Sequence, residues 1–414
     1  RLMLKHIFTI LWNERRNNLL IWVEMLIIAL CSIYLVDYLV SELWLVSRPM
    51  GCDIHNVARI RIGIIPPESP DYIDAPSDSA STAKAVNTLL QRIEAHPAVE
   101  ATCMSWNSLP YQGNNSSFSL TLDTLTVQSV LVRSVTPSFL RVFRIESENS
   151  TCEEMEQALE NKQLVAGELL AKMFNCNPPD TFNGKEVMTS DSSVYKIGAV
   201  CKNMRIDNFW GTSPSIFIYE DEFEKSIELY VEWLECALRL KGEADISFDA
   251  LFAELKDQLR VDNFYVTHFE DLAVTKQILQ KSDYNVLKIR LLYVVFLAIC
   301  IFLGIVGTFW YRAQQRRSQI GLRLAMGDTP RHLLWFYNLE GLLMLYMTLV
   351  FTIPSYYLLK HYEILHRYWS VFSWRVPLVF GITYGVITLL ILVAICLPTY
   401  SAVHTAPSIA MRDE

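Results

Sequence analysis

The stretch RRSQIGLRLAMGDTPRHLLWFYNLEG, Arg316 to Gly341, decides the architecture, because it packs four arginines and a Gly-Asp-Thr-Pro break between two long apolar runs. It is too short to be a domain. Upstream, Leu291 to Tyr311 carries no charge, and downstream Gly341 to Leu359 carries none either. Each has about the 20 residues that a helix needs to cross a hydrocarbon core roughly 30 Å thick. The arginine-rich stretch therefore reads as a basic elbow between two membrane spans.

Working outward, Val376 to about Ala402 is a third uncharged run. A fourth, Leu19 to about Val46, is apolar enough to span although it holds Glu24, Asp37 and Glu42. Its apolar part is too long for the h-region of a signal peptide, and no small-residue cleavage site follows it, so it reads as a retained first span. The composition agrees: 51% of the 414 residues are hydrophobic and 12% aromatic, more than a globular enzyme carries.

Orientation follows from the basic residues beside the spans. Arg1, Lys5, Arg15 and Arg16 precede the first span, and Arg312, Arg316, Arg317, Arg323 and Arg331 lie between the second and third with only Asp328 against them. Both segments are expected in the cytoplasm, which places both termini inside. The expected division is a cytoplasmic amphipathic segment (1–18), a first span (19–46), an extracytoplasmic domain (47–288), a second span (289–311), the elbow (312–338), a third span (339–359), a short outer loop (360–375), a fourth span (376–400) and a cytoplasmic tail (401–414). From Val46 to Arg290 there are 35 acidic against 23 basic side chains, a net of −12 within a chain of −8, so the remainder is +4. An acidic outer domain on a basic inner rim speaks against nucleic acid as a partner.

The outer segment reads as mixed α and β. VARIRIGI, Val57 to Ile64, alternates as a strand does, and Ser81 to Ala95 sets Ala83, Val86, Leu89, Leu90 and Ile93 at helical spacing until His96-Pro97 stops it. Further strands are expected at Phe118 to Leu125, Val127 to Val135, Val194 to Val200 and Ser215 to Tyr219. Helices are expected at Cys152 to Glu160, Glu168 to Phe174 and Ser247 to Gln258. Pro66 to Asp78 and Asn107 to Ser117 read as loops. This succession predicts two α+β lobes, so the fold class is a four-helix membrane protein with a large α+β extracytoplasmic domain.

Catalytic chemistry is hard to find there. His55, His96 and His268 share no metal-ligand spacing, the histidines of HYEILH (His361, His366) stand five apart, and no HExxH, GxSxG or Cys/His nucleophile pattern occurs. No metal, catalytic residue or cofactor is expected. Cys52, Cys103, Cys152, Cys176, Cys201 and Cys236 are widely and irregularly spaced with no CxxC pair, which favours buried thiols over a disulfide framework. Asn114, Asn115 and Asn149 stand in N-x-Ser/Thr sequons that matter only in a glycosylating pathway.

Within the elbow, Arg316 to Met326 is helix-compatible, with Arg316, Gln319 and Arg323 on one face and Leu322, Ala325 and Met326 on the other. Gly327 suits a left-handed helix stop, and Thr329-Pro330 suits the cap and first position of a new helix. One reading is an interfacial helix lying on anionic lipid, each arginine worth about 1 kcal/mol there. The other is a rigid lever gripped by a cytoplasmic motor.

The run Arg316, Arg317, Ser318, Gln319, Ile320, Gly321, Leu322, Arg323, Leu324, Ala325, Met326, Gly327, with Leu333 and Glu340 beyond it, resembles the RRxEIGxRxAxG…E signature of FtsX-like and MacB-like ABC transporter permeases. Pro398, Ala402, Pro407 and Ala410-Met411-Arg412 are similar to the family's closing P…A…P…ALR pattern. So is the passage NKQLVAGELLAKMFNCNPPDTFNGKEV with VYKIGAV to its core domain. Gln319 departs from the pattern, since the family usually has Glu there.

The resemblance implies a non-catalytic permease subunit in a bacterial inner membrane. Its coupling helix would be built on Arg316, Arg317, Gln319, Ile320, Gly321, Arg323, Ala325, Gly327, Leu333 and Glu340. It implies a separate ABC ATPase subunit, a second permease chain in a homo- or heterodimer, and a periplasmic adaptor or outer-membrane component. It also implies mechanotransmission, in which motion passes through the spans to the external domain and no substrate is pulled through a channel, serving export of a peptide, antibiotic or lipoprotein. The chain itself has no GxxxxGK[ST] loop, so ATP would be used by the partner. A receptor or scaffold, or a regulator of cell-wall hydrolases signalling without transport, is the alternative. Glu24 and Asp37, 13 residues and about 20 Å apart along a helix, would sit near opposite interfaces, each paired or reaching for polar surroundings. Pro354 is the expected kink of the third span.

Overall fold

The computed structural model describes residues 9, 15–74, 79–219, 234–244, 246–315, 322–323, 326–362 and 374–403. They fall into two units, residues 45–283 and a second unit drawn from residues 1–44 and 284–414.

Helix α1 covers Arg15–Ser47. The α+β unit follows, with β1 (Val57–Ile64), α2 (Ser79–Glu94), β2 (Val99–Trp106), β3 (Ser116–Leu122), β4 (Leu125–Val135), α3 (Phe139–Val142), α4 (Cys152–Glu160), β5 (Leu164–Gly167), α5 (Glu168–Met173), β6 (Glu186–Thr189), β7 (Val194–Cys201), β8 (Ser215–Ile218), β9 (Glu235–Leu240), α6 (Phe248–Leu255), β10 (Arg260–Val261) and β11 (Phe264–Asp271). α4 begins on a capping box: the Thr151 hydroxyl accepts from the Glu154 backbone N–H at 3.2 Å, and the Glu154 carboxylate accepts from the Thr151 N–H at 2.9 Å.

The eleven strands among the described residues form one sheet, in the order β10-β11-β1-β9-β2-β4-β3-β6-β7-β5-β8, and a parallel pairing of β4 with β8 closes the last six into a ring. Leu120, Val130, Leu164, Ile197 and Ile216 line that ring's core with Leu170 of α5 and Phe182. At the open end, Val86, Leu90 and Ile93 of α2 and Leu251 and Leu255 of α6 cover Ile60, Leu238 and Val266. Between them, α3 and α4 bury Phe139, Val142, Met155 and Leu159 with Val57, Val135 and Phe217.

Six strands escape the sequence reading: β2, β5, β6, β9, β10 and β11. β9 shows why. ECALRL buries all six residues, so it does not alternate, and its two charged members hide an interior strand. Glu235 is satisfied by the Ser105 hydroxyl at 3.0 Å and by the N–H groups of Ser108 and Leu109 at 2.8 and 3.0 Å. Arg239 donates to the carbonyls of Val142 and His55 at 2.5 and 2.9 Å. The region read as helix from Ser247 to Gln258 is α6 followed by a 3-10 turn, Lys256–Gln258.

The remaining helices are α7 (Leu272–Gln315), α8 (Pro330–Met347), α9 (Leu349–His361) and α10 (Arg375–Val403). Among the described residues, four stretches are long and apolar enough to cross a membrane: Leu19–Ser47, Leu272–Thr308, Arg331–His361 and Arg375–Ile395. In this unit Met25, Ala29 and Ile33 of α1 meet Ile305, Leu345, Tyr356, Val379, Tyr384, Ile387 and Ile391. Apolar side chains on their other faces, such as Val23, Ile27 and Leu303, stay exposed, which suits lipid as solvent.

α7 starts at Leu272, well before the apolar run at Leu291, because Lys276, Gln277, Gln280, Lys281 and Asp283 continue the helix with polar side chains. The irregularity of the third span falls at Thr348 instead of Pro354. There the Thr348 hydroxyl donates to the Leu345 carbonyl at 2.6 Å and shares the Tyr384 hydroxyl with Thr352, both at 2.8 Å. The last turn of α8 tightens, and Pro354 lies inside α9.

Candidate coupling site

Arg323, Gly327, Leu333 and Glu340 are described; Arg316, Arg317, Gln319, Ile320, Gly321 and Ala325 lie outside the described residues. Gly327 takes a positive φ of 97°, which a residue with a Cβ adopts only under strain. The Asp328 N–H reaches back to the Arg323 carbonyl at 3.0 Å, and the Met326 N–H to Leu322 at 3.0 Å. A six-to-one bond of this kind, spanning a left-handed glycine, is the Schellman stop.

One residue later the chain restarts. Thr329 is extended, its hydroxyl accepts the His332 N–H at 3.3 Å, and Pro330 takes the first helical position, where its missing N–H costs nothing. Asp328 steadies the corner, since its Oδ1 accepts the Thr329 N–H at 2.9 Å and lies 2.7 Å from His332 Nδ1. The sequence reading counts Asp328 only as the acid opposing the elbow's arginines and gives His332 no part, although an Asp four residues before a His at a helix start is a signal for this contact.

α8 then splits into two faces. Leu333, Phe336, Glu340 and Met344 are buried at helical spacing, and Phe336 and Met344 pack with Ile21 of α1. The Arg323 guanidinium sits over the Phe336 ring, 4.7 Å from its centroid. Met326 and Trp335 face outward at 73% and 64% exposure. The elbow is thus a stop, a two-residue corner and a capped restart, pinned by one cation–π contact and presenting apolar and basic surface.

The three acidic groups of the first span, Glu24, Asp37 and Glu42, are all partnered. Glu24 accepts from the Thr308 hydroxyl at 2.9 Å. Asp37, 1% exposed, accepts from Arg375 Nε at 2.8 Å and from the Tyr356 hydroxyl at 2.9 Å, and also meets Arg375 Nη2. Glu42 takes the Tyr38 hydroxyl at 2.9 Å and lies 3.6 Å from Arg290. Arg375 at the head of α10 is the partner that sequence alone did not assign.

In the α+β unit, a cleft of about 780 Å³ is lined by Arg48, Arg144 and Lys202 against Asp53, Glu146 and Glu168, with Gly51, Cys52, Asn203 and Thr212. Glu146 hydrogen-bonds Lys202 at 2.6 Å and holds its ammonium above the ordinary value. Burial pushes the Cys52 thiol up to about 12. Among the described residues no His, Cys, Asp and Glu cluster could hold a metal, and the described cysteines are free thiols.

Residues 291–407 match the family model FtsX-like permease C-terminal. No curated protein matches the chain. Among solved structures, the periplasmic region of MacB from Actinobacillus actinomycetemcomitans is similar at 11% identity and a TM-score of 0.32, over 58% of this chain and 98% of that one. A domain of a putative permease protein from Porphyromonas gingivalis is similar at 14% identity and a TM-score of 0.34, over 54% and 93%. The family-model match spans 117 of the 414 residues and takes in the elbow.

Proposed function

We propose that the chain is the membrane subunit of an ABC transporter and that a separate cytoplasmic ATPase grips the elbow. The observation that carries this is the corner at Asp328 and Thr329. A lever must not bend where it is pushed, and this one is stopped by a left-handed glycine, restarted by a capped proline and braced by Arg323 on Phe336. ATP-driven closure of the ATPase pair moves α7 and α8, and the motion reaches the α+β domain outside the membrane. Work is done on that domain, and no substrate is drawn through the spans.

The direction is export from a bacterial inner membrane, with both ends of the chain cytoplasmic. Two such chains act as a dimer, and an adaptor or outer-membrane component receives the cargo, of the peptide, antibiotic or lipoprotein kind.

The test is site-specific photo-crosslinking in native membranes from Met326 and Trp335, the exposed side chains of the elbow. An adduct containing a P-loop ATPase is expected. A second reading has its own support in those same exposed apolar residues: an elbow that lies on lipid would give lipid adducts alone.

A further inference from the structure

The loop between β7 and β8, residues 202–214, touches both ends of the α+β unit, the segment that follows α1 and the first turns of α7. Arg205 is 2% exposed and has no carboxylate partner in its hydrogen bonds. Its guanidinium donates instead to three carbonyls: Arg48 at 3.1 Å, Asn208 at 2.9 Å and Trp210 at 2.8 Å. Its backbone N–H adds a bond to Met50 at 2.9 Å. A fork of fixed donors buried in this way locks the carbonyls it holds into one geometry.

The opposite side of the loop holds α7. The Asn208 side-chain oxygen accepts Gln280 Nε2 at 3.1 Å and the Tyr111 hydroxyl at 3.2 Å. Gln280 is 3% exposed, and its Oε1 has no partner among the described residues. Its amide is therefore held through the Asn208 bond. The glycine after α1's end makes the fit close: a Cβ on Gly51 would stand 2.1 Å from the Asn203 carbonyl oxygen.

We propose that Arg205, Asn208 and Gln280 form a hydrogen-bonded relay that fixes the segment after α1 to the start of α7, so that the two move as one. The chain of contacts is continuous: Arg48 carbonyl, Arg205 guanidinium, Asn208 carbonyl and side chain, Gln280 amide. Asn203 and Thr212 of the same loop line the 780 Å³ cleft, so a shift of the relay changes that cleft's wall. The relay rests on the transporter reading for the source of the motion, though not for its own existence. All three are positioning residues.

The relay is tested on the full chain in lipid nanodiscs. Spin labels are placed at Ser47→Cys and Ser282→Cys in a background with Cys31→Ser, Cys52→Ser, Cys152→Ser, Cys300→Ser and Cys396→Ser, diluted with unlabelled chain so that only distances within one chain are read. The expected result is one narrow distance in the parent and loss of that narrow peak in Gln280→Ala and in Asn208→Ala, at an unchanged thermal transition of the α+β unit. A narrow distance retained in both variants overturns the relay. Should Asn208→Ala lower the thermal transition, Gln280→Ala decides, because it removes one bond and a half-satisfied amide. No ATPase is present, so the outcome is separate from whether an ATPase grips the elbow.

Discussion

Asp37 and Arg375, 338 residues apart, form a buried ion pair in which Arg375 Nε donates to Asp37 Oδ1 at 2.8 Å. The side chains are 2% and 7% exposed, and the Tyr356 hydroxyl supplies a further donor at 2.9 Å. Removing one partner strands a charge, which costs about 3–5 kcal/mol, whereas replacing both with apolar groups of like volume can cost little. Asp37→Asn and Arg375→Gln should each lower the thermal stability of the purified chain sharply. Asp37→Leu with Arg375→Met should recover much of the loss. Equal loss in single and double variants would show that the pair does not act as a unit.

Gly327 gives a second prediction. At φ 97° the position tolerates Asn far better than a β-branched residue. Gly327→Val should abolish ATP-coupled transport while insertion into the membrane persists, and Gly327→Asn should keep most of it. Transport unchanged in Gly327→Val would sink the lever.

Part of the fold was legible from local pattern alone, and part depends on partners that only packing supplies. Val57–Ile64 alternates and was readable to the residue, and Cys152–Glu160 announces itself by its capping box. β9 could not be read so, since Glu235 and Arg239 look like surface residues until Ser105, Ser108, Leu109, Val142 and His55 are brought to them. The elbow's stop and restart were written locally, in Gly327 and Thr329-Pro330. Arg323 over Phe336 and Arg375 against Asp37 were not, because the partner of each is fixed by packing.

Burial raises the Glu270 carboxyl, but hydrogen bonds from Arg61 and Thr275 outweigh it and hold it below its ordinary 4.5. A carboxyl depressed by folding contributes stability that is complete above its unfolded value and is lost as pH falls through the folded one. Unfolding followed against pH should therefore lose stability below about pH 4.5, by a small amount because Arg61 is half exposed. Glu270→Gln should remove that part of the slope. Identical slopes in the two chains would contradict the assignment.

Burial also pushes the Cys201 and Cys236 thiols up to about 12, so neither is a thiolate at neutral pH. Maleimide should leave both unmodified in the native chain and label both once urea unfolds the domain. Rapid labelling of native Cys236 would contradict a β9 buried on both faces.

Orientation is checked by cysteines introduced at Asp74, Asn114 and Arg317 in sealed cells. Labelling from outside is expected at the first two and protection at the third. Labelling at Arg317 would reverse the topology.

The most direct measurement is a mild-detergent pull-down of the tagged chain from its native membrane, with mass spectrometry of its partners and an ATPase assay, beside Arg323→Glu. The account predicts an ABC ATPase subunit with the parent chain, and loss of that subunit and its activity with Arg323→Glu. A parent chain that brings down no ATPase, or a variant that retains it in full, would contradict the claim that the elbow is the ATPase's grip.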